Sequence, residues 1–368
     1  MKMWILGLIS VIVLGTGITL FQAPSFGENP DKHSVESFSN LSNYNSKKKK
    51  FKNNIETKTA FSFKDFRKVS KEYSKKDDSI SRKPNGNLIP IDTTEWQKND
   101  TSLWISWLGH SSQYVNLEGI TILIDPVFSK RCSPFQWVGS KRFHPFPHDT
   151  TDFNEIDVVV ISHDHYDHLD IKTIRSLSKK VSQFIVPLGV GGHLKKWGVS
   201  QDKIIELNWW DSVKVDHVTF YCTPARHFSG RGITHQNETL WASGSFVGQK
   251  KRLFYSGDTG YFEAFKTIGE RLGPFDIAVI QTGAYDSLWA DIHMFPTEVI
   301  QTFKDLKAEK LIPVHWGTFN LALHDWKEPA IWLKNASKNG NIPVIFPKLN
   351  EQVCVDDSIH VKKKEWFE

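Results

Sequence analysis

Beyond residue 100 the chain is built from short apolar runs cut by polar breaks. Runs rich in Val, Ile, Leu and aromatic residues, bounded by Gly, Pro, Asn or Asp, predict strands over 103–108, 113–117, 120–124, 156–161, 184–186, 203–207, 218–222, 240–247, 252–255, 277–280 and 311–314. Glu118 and Gly119, between the second and third of these, predict a hairpin turn. Apolar residues three and four apart predict helices over 171–178, 261–272, 297–308 and 328–336, the third opened by Pro296 and Glu298. Strands dominate early and alternate with helices later, so residues 91–368 are expected to form one layered α/β domain.

Two other textures precede this domain. Residues 3–21 carry no charge and are long enough to cross a bilayer as a helix. Lys2 lies before the run, while Glu28, Asp31 and Glu36 follow it against Lys32 alone. That asymmetry predicts a transmembrane anchor with its N-terminus in the cytoplasm and the remainder outside. Cleavage at Ala23 would instead make it a signal segment and the domain secreted, but Phe21 and Pro24 make a poor cleavage site. Residues 22–90 are rich in Ser, Asn and Lys, with four lysines at 47–50, and are expected to be a disordered basic linker. Its basic run is either a plain spacer or a contact for anionic headgroups.

Charge changes the picture only for that linker. The net charge is +5, yet residues 22–90 hold 15 Lys and Arg against 8 Asp and Glu. With these and Lys2 set aside, 30 basic residues face 33 acidic ones, so the domain has no electrostatic footprint for nucleic acid. Cys132, Cys222 and Cys354 are few, odd in number and widely spaced, which excludes a disulfide framework and a thiolate metal site.

The chemistry concentrates where the strand at 156–161 ends. Ser162-His163-Asp-His165-Tyr-Asp167-His168-Leu-Asp170 places three histidines and two aspartates within six positions, on a loop at the end of a buried strand. Imidazole and carboxylate together suit zinc. Further metal-capable residues follow later strands: His227 after 218–222, Asp258 in Gly257-Asp-Thr-Gly260, and His315 in Pro313-Val-His315-Trp-Gly317. Each alone is weak; together they supply five histidines and two aspartates.

That order, His-x-His-x-Asp-His followed by His227, Asp258 and His315, resembles the metallo-β-lactamase superfamily of dinuclear hydrolases. Within it, Trp107-Leu-Gly-His110, Asp125-Pro-Val-Phe, Ser133-Pro-Phe, Gly257-Asp-Thr-Gly-Tyr261-Phe, Gly273-Pro-Phe-Asp276 and His315-Trp-Gly-Thr-Phe319 are similar to the N-acyl-phosphatidylethanolamine-hydrolysing phospholipases D. The likeness spans about 104–346 and leaves 1–90 outside. It implies an αββα sandwich and two zinc ions, other divalent metals being possible. His163, His165 and His227 would bind the first, Asp167, His168 and His315 the second, and Asp258 would bridge them. It further implies His293 in the active site and Asp125 as a carboxylate supporting the ligands.

The resemblance implies attack by a zinc-bridging hydroxide on an N-acyl-phosphatidylethanolamine-like lipid, giving N-acylethanolamine and phosphatidic acid. Asp167 and His293 would serve the reaction. Ile292 stands where the family has a polar residue, which bears on substrate preference. Trp137, Phe143, Phe146, Trp197, Trp209, Trp210, Trp289 and Trp326 suit a lipid substrate as well as a core. The alternatives are a zinc lactonase on the same scaffold and a non-catalytic, envelope-anchored metal-binding protein. His110 is either a core histidine or part of the site wall; His144, His148 and His324 receive no role.

Overall fold

The computed structural model describes residues 23–59, 63–74, 82–84, 102–146, 148, 150–232, 235–338, 340–356 and 365–368. In chain order these form α1 (Lys32–Phe38), β1 (Tyr44–Asn45), β2 (Lys50–Phe51), α2 (Phe63–Ser74), β3 (Leu103–Trp107), β4 (Gln113–Leu117), β5 (Ile120–Ile124), β6 (Ile156–Val160), α3 (Ile171–Leu177), β7 (Val181–Pro187), α4 (Gly191–Lys196) and β8 (Ile204–Leu207). The second half adds β9 (Ser212–Val215), β10 (Val218–Thr223), β11 (Ser243–Val247), β12 (Arg252–Tyr255), α5 (Ala264–Arg271), β13 (Ile277–Gln281), α6 (Pro296–Asp305), β14 (Leu311–Val314), α7 (Glu328–Lys338) and β15 (Gln352–Cys354).

Two mixed sheets make the framework. One runs β15-β3-β4-β5-β6-β7-β8, the other β14-β13-β12-β11-β10-β9. Side chains alternate across each strand, so each sheet has two apolar faces to cover. Ile122, Ile124, Val158 and Val160 belong to one core with Phe220, Phe246, Phe254 and Val279 of the other sheet. Leu123, Val159 and Phe184 point the other way and pack with Ile174, Leu177 and Leu194 of α3 and α4. Phe265, Ile268, Val299, Phe303 and Leu333 bring α5, α6 and α7 onto the second sheet. This is the expected layered α/β arrangement.

Strand direction puts the chemistry on one rim. β5, β6, β7 and β8 are parallel, as are β12, β13 and β14. β10 and β12 both run antiparallel to β11 and therefore parallel to each other. The C-terminal ends of β5 and β6, and those of β10, β12 and β14, are thus delivered to one end of their sheets.

The Glu118–Gly119 turn forms as expected, with both residues in the left-handed region at φ 52° and 95°. Other boundaries move for identifiable reasons. The strand expected from 240 begins at Ser243, because Leu240 and Ala242 donate their N–H groups to Leu188 O and Ser162 O at 2.8 and 2.9 Å. The helix expected from 261 begins at Ala264, because the preceding loop is tied across by Gly260 N–H to Arg226 O at 2.9 Å. β9, β15 and the Gly-Gly-started α4 are only 4, 3 and 6 residues long, too short for the pattern of apolar positions to announce them.

The described start of the expected disordered linker is folded. Residues 23–58 run along the domain as a strap of α1 and the β1–β2 hairpin. Phe38, Tyr44 and Phe51 are buried, with ring centroids 4.9–5.6 Å apart. Trp197 Nε1 and Arg231 Nε donate to Pro24 O and Ser25 O at 2.7 and 2.9 Å. The three aromatics sit at irregular spacing among polar residues, so no period marks the segment as structured; their burial contributes several kcal/mol. The anchor at 3–21 lies outside the described residues, and among the described residues no helix is long and apolar enough to cross a membrane.

Candidate metal centre

Residues Ser162 to Asp170 turn sharply at the end of β6, and Asp125, at the end of the neighbouring β5, holds the turn. Asp125 has φ 40°, an unusual conformation outside glycine that points to a position fixed by its surroundings. Its Oδ1 accepts Ser162 N–H at 2.7 Å. Its Oδ2 accepts Ser162 Oγ–H at 2.5 Å, Tyr255 O–H at 2.5 Å and His168 Nδ1–H at 2.7 Å. A carboxylate only accepts, so one His168 proton sits on Nδ1, and when the ring gives up its second proton it is Nε2 that offers the lone pair. His227 is treated alike: Nδ1 donates to Ile292 O at 3.0 Å, which turns Nε2 inward.

The seven side chains meet. His163 Nε2 lies 2.8 Å from His165 Nδ1, and His227 Nε2 lies 3.3 Å from the same atom. Asp258 Oδ2 lies 3.1 Å from His168 Nε2, 3.0 Å from His315 Nε2, 3.8 Å from His227 Nε2 and 4.0 Å from His163 Nε2. Asp167 Oδ2 is 3.3 Å from His315 Nε2 and 3.6 Å from His168 Nε2. One group of three histidines, His163, His165 and His227, therefore stands beside a second group, Asp167, His168 and His315, with Asp258 between them. Two glycines permit this approach. Gly257, at φ 56°, would drive a Cβ to 2.6 Å from Ala242 O, and Gly283 would place one 2.1 Å from His315 O.

His110 belongs to the second group. Its Nε2 contacts Asp167 Oδ2 at 2.9 Å, its backbone carbonyl accepts His315 N–H at 3.0 Å, and its own N–H reaches Thr318 Oγ1 at 2.6 Å. His110 and His315 both take left-handed φ, 54° and 67°. His293 faces His227 and His315 with ring centroids at 5.3 and 5.2 Å. It joins His227 and Asp258 as a further group with metal-ligand spacing.

Electrostatics follow from burial and from these neighbours. Burial pushes His163, His165 and His227 below the usual histidine range and leaves them neutral. Burial brings His110 and His293 each down to about 3. Burial would raise the pKa of Asp167 and Asp258, but the nearby His168 charge outweighs it and both are held well below the ordinary carboxylate range. His315 is lowered by burial but raised more by Asp258 and Asp167, ending at about 9. His168 is raised in the same way.

A metal fits what the site lacks. Asp258 Oδ1, His168 Nε2 and His315 Nε2 are buried and have no hydrogen-bond partner. Each such group costs about 1–3 kcal/mol if left unsatisfied, and a divalent cation supplies the missing partner to a mixed imidazole and carboxylate set. One prediction follows from the raised histidines. A ligating imidazole must shed its proton, so loading zinc into chelator-stripped protein at pH 7.5 is expected to release protons, and affinity is expected to climb as pH approaches about 9. In the stripped protein the sign is opposite. The raised His315 contributes stability that is complete below about pH 6.5 and lost as pH rises through about 9. Titration with zinc in weakly buffered dye solution reads the first effect, and melting against pH the second.

A brace outside the ligands carries no sequence signal of its own. Asp164 accepts Gly230 N–H at 2.7 Å and Thr239 Oγ1–H at 2.8 Å, and meets His193 Nε2 at 3.2 Å. Arg231 Nη1 donates to Asp164 O and Leu169 O at 2.6 and 2.8 Å, clamping both ends of the ligand loop. Asp164 lies inside the motif, between His163 and His165; His193 arrives from α4 and Arg231 from a distant loop. Among the three residues left without a role, His144 is buried, His148 contacts Asn350 Oδ1 at 2.7 Å, and His324 Nε2 accepts Ala284 N–H at 3.0 Å.

Comparison with known proteins agrees with this geometry. Residues 121–316 match the family model described as the beta-lactamase superfamily domain. An uncharacterized protein of Mycobacterium tuberculosis is 46% identical over 270 residues, 72% of each chain. The N-acyl-phosphatidylethanolamine-hydrolyzing phospholipase D 1 of Caenorhabditis elegans is 35% identical over 276 residues, covering 71% of this chain and 77% of its own. The mitochondrial enzyme of that name in Saccharomyces cerevisiae is 33% identical over 282 residues, 73% of this chain and 59% of its own. Among solved structures, the metallo hydrolase Igni18 of Ignicoccus hospitalis shares the fold at TM-score 0.55 and 21% identity, over 70% of this chain and all of its own. The chain belongs to the metallo-β-lactamase superfamily of metal-dependent hydrolases and is a homologue of the N-acyl-phosphatidylethanolamine-hydrolysing phospholipases D.

Proposed function

We propose that the chain is a dinuclear zinc phosphodiesterase of phospholipase D type, converting N-acyl-phosphatidylethanolamine-like lipids to N-acylethanolamine and phosphatidic acid. The observation that carries the reading is the convergence of His163, His165 and His227 beside Asp167, His168 and His315 around Asp258 Oδ2. The first three would hold one ion and the second three another, with Asp258 shared. Zinc bound there supplies Lewis acidity, lowering the pKa of water towards neutrality and offsetting charge at a phosphorus centre.

The chain's own groups do the rest. Asp125 and Ile292 O fix the tautomers of His168 and His227. Asp167, ionised and held by His110, orients the reacting water. His293, neutral with its pKa near 3, offers a hydrogen bond to the departing oxygen rather than a full proton. His293→Gln is accordingly expected to lower kcat about 100-fold or more while leaving the bound metal unchanged, as elemental analysis beside steady-state kinetics would read.

Support for a lipid substrate comes from the kinship with the phospholipases and from the surface. Trp137 is 72% exposed and Val138 45% exposed, on a loop that also carries Lys130, Arg131 and Lys141. An aromatic tip flanked by cations suits the headgroup region of a bilayer. The apolar run at 3–21 would hold the domain against that surface, outside the cytoplasm if the charge asymmetry governs its insertion.

The test is release of N-acylethanolamine from N-acyl-phosphatidylethanolamine in mixed micelles by the purified full chain, with metal content measured on the same sample and an acyl-homoserine lactone run in parallel. Turnover of the lipid at metal-replete stoichiometry is expected. Lactone turnover without lipid turnover would overturn the substrate assignment.

A further inference from the structure

We infer that Asn53, in the strap that precedes the family domain, is a positioning residue for the ligand His227. This rests on the metal-centre reading above and extends the centre to a segment far upstream of the matched residues 121–316. The Asn53 side chain reads the backbone of His227 at both ends. Its Nδ2 donates to His227 O at 2.8 Å, and its Oδ1 accepts His227 N–H at 3.2 Å. The same Oδ1 accepts the Trp241 indole N–H at 3.1 Å, and that indole also reaches Ala225 O at 3.0 Å. Only a side chain with one donor and one acceptor in a plane meets a residue's N–H and C=O together.

His227 is thereby fixed from two directions. Asn53 holds its main chain, and Ile292 O holds its ring through Nδ1. With both in place Nε2 has one direction left, towards His165 Nδ1 at 3.3 Å. The strap is itself secured on either side of Asn53. Phe51 is buried and donates its N–H to Asn237 O at 2.8 Å. Further on, Arg226 donates to Glu56 O at 2.9 Å and to Thr57 Oγ1 at 3.2 Å, and Lys58 N–H reaches Asp291 Oδ2 at 2.8 Å. Asp291 pairs with Arg226 at 2.9 Å, so the strap joins the His227 loop to the loop that carries His293.

Aspartate at this position keeps the acceptor but sets a carboxylate against His227 O, and alanine leaves the His227 N–H and C=O both unpaired while the Trp241 indole keeps only Ala225 O. Outer partners of metal ligands are worth about 10–100-fold in metal affinity. The experiment is cobalt titration of the chelator-stripped full chain, wild type against Asn53→Ala and Asn53→Asp. Affinity and the visible absorption spectrum are followed well below the melting temperature, with kcat on the zinc-loaded proteins. The expected result is two cobalt equivalents in the wild type. In each variant one is weakened about 10–100-fold with an altered band, and the loss in Asn53→Asp is the smaller. If Asn53→Ala does not fold, Asn53→Asp carries the same comparison. Variants that melt earlier yet take up both equivalents with wild-type affinity and spectrum would show a structural strap only and overturn the inference. A wild type that binds no cobalt would overturn the metal-centre reading, and this inference with it.

Discussion

Asp258→Asn is expected to cost about 1,000-fold or more in kcat/KM and to remove at least one bound metal equivalent. Asp258 Oδ2 stands within 3.0–4.0 Å of four imidazoles, and among the described residues no other carboxylate pairs with both groups of histidines. Asparagine keeps the size but loses the negative charge, and a neutral amide is a poor bridge between two cations. Charge stabilisation at a metal centre is worth several kcal/mol, and about 4 kcal/mol corresponds to roughly a thousandfold in rate. Metal analysis beside a melting curve separates this from misfolding. Full activity with two retained equivalents would remove Asp258 from the centre.

Asp125→Ala is expected to be the most destabilising single change near the site, by about 3–5 kcal/mol, and to weaken metal binding about 10–100-fold. Asp125 is fully buried, and four donors end on it: Ser162 N–H and Oγ–H, His168 Nδ1–H and Tyr255 O–H. Removing the carboxylate strands all four and frees His168 to change tautomer, which would present a proton where the metal needs a lone pair. Tyr255→Phe removes a single donor and is expected to cost only about 1 kcal/mol, with metal affinity intact. Melting curves of the zinc-loaded and stripped forms, beside zinc titration, distinguish the two variants. Equal melting temperatures for wild type and Asp125→Ala would contradict the role given to this carboxylate.

The sequence carries more of the proposed ligand set than of its supports, for a physical reason. His163, His165, Asp167 and His168 are adjacent in the chain, and His227, Asp258 and His315 each follow an apolar strand, so strand ends predict where they gather. Asp125 closes the apolar β5, but a turn residue before Pro126 would look the same, and only the family resemblance implies its supporting role. By contrast His193 sits in a short Gly-Gly helix, and Arg231 follows a glycine in a loop; their meeting with Asp164 is a tertiary event with no local period. Asn53 is more hidden still. Its segment is rich in Lys, Asn and Ser, the composition of a linker, and three aromatics at irregular spacing are enough to seat it. His110 shows a related ambiguity: the residue pattern allows a core or a site position, and contact with Asp167 at 2.9 Å places it in the site.

Two cations sharing Asp258 would be seen most directly by crystallographic anomalous scattering at the zinc edge. Two peaks about 4 Å apart are expected, one among His163, His165 and His227, the other among Asp167, His168 and His315, with the Asp258 carboxylate between them. A zinc-loaded crystal with no peak at these residues, or with its metal bound elsewhere on the chain, would contradict a two-metal centre built on Asp258.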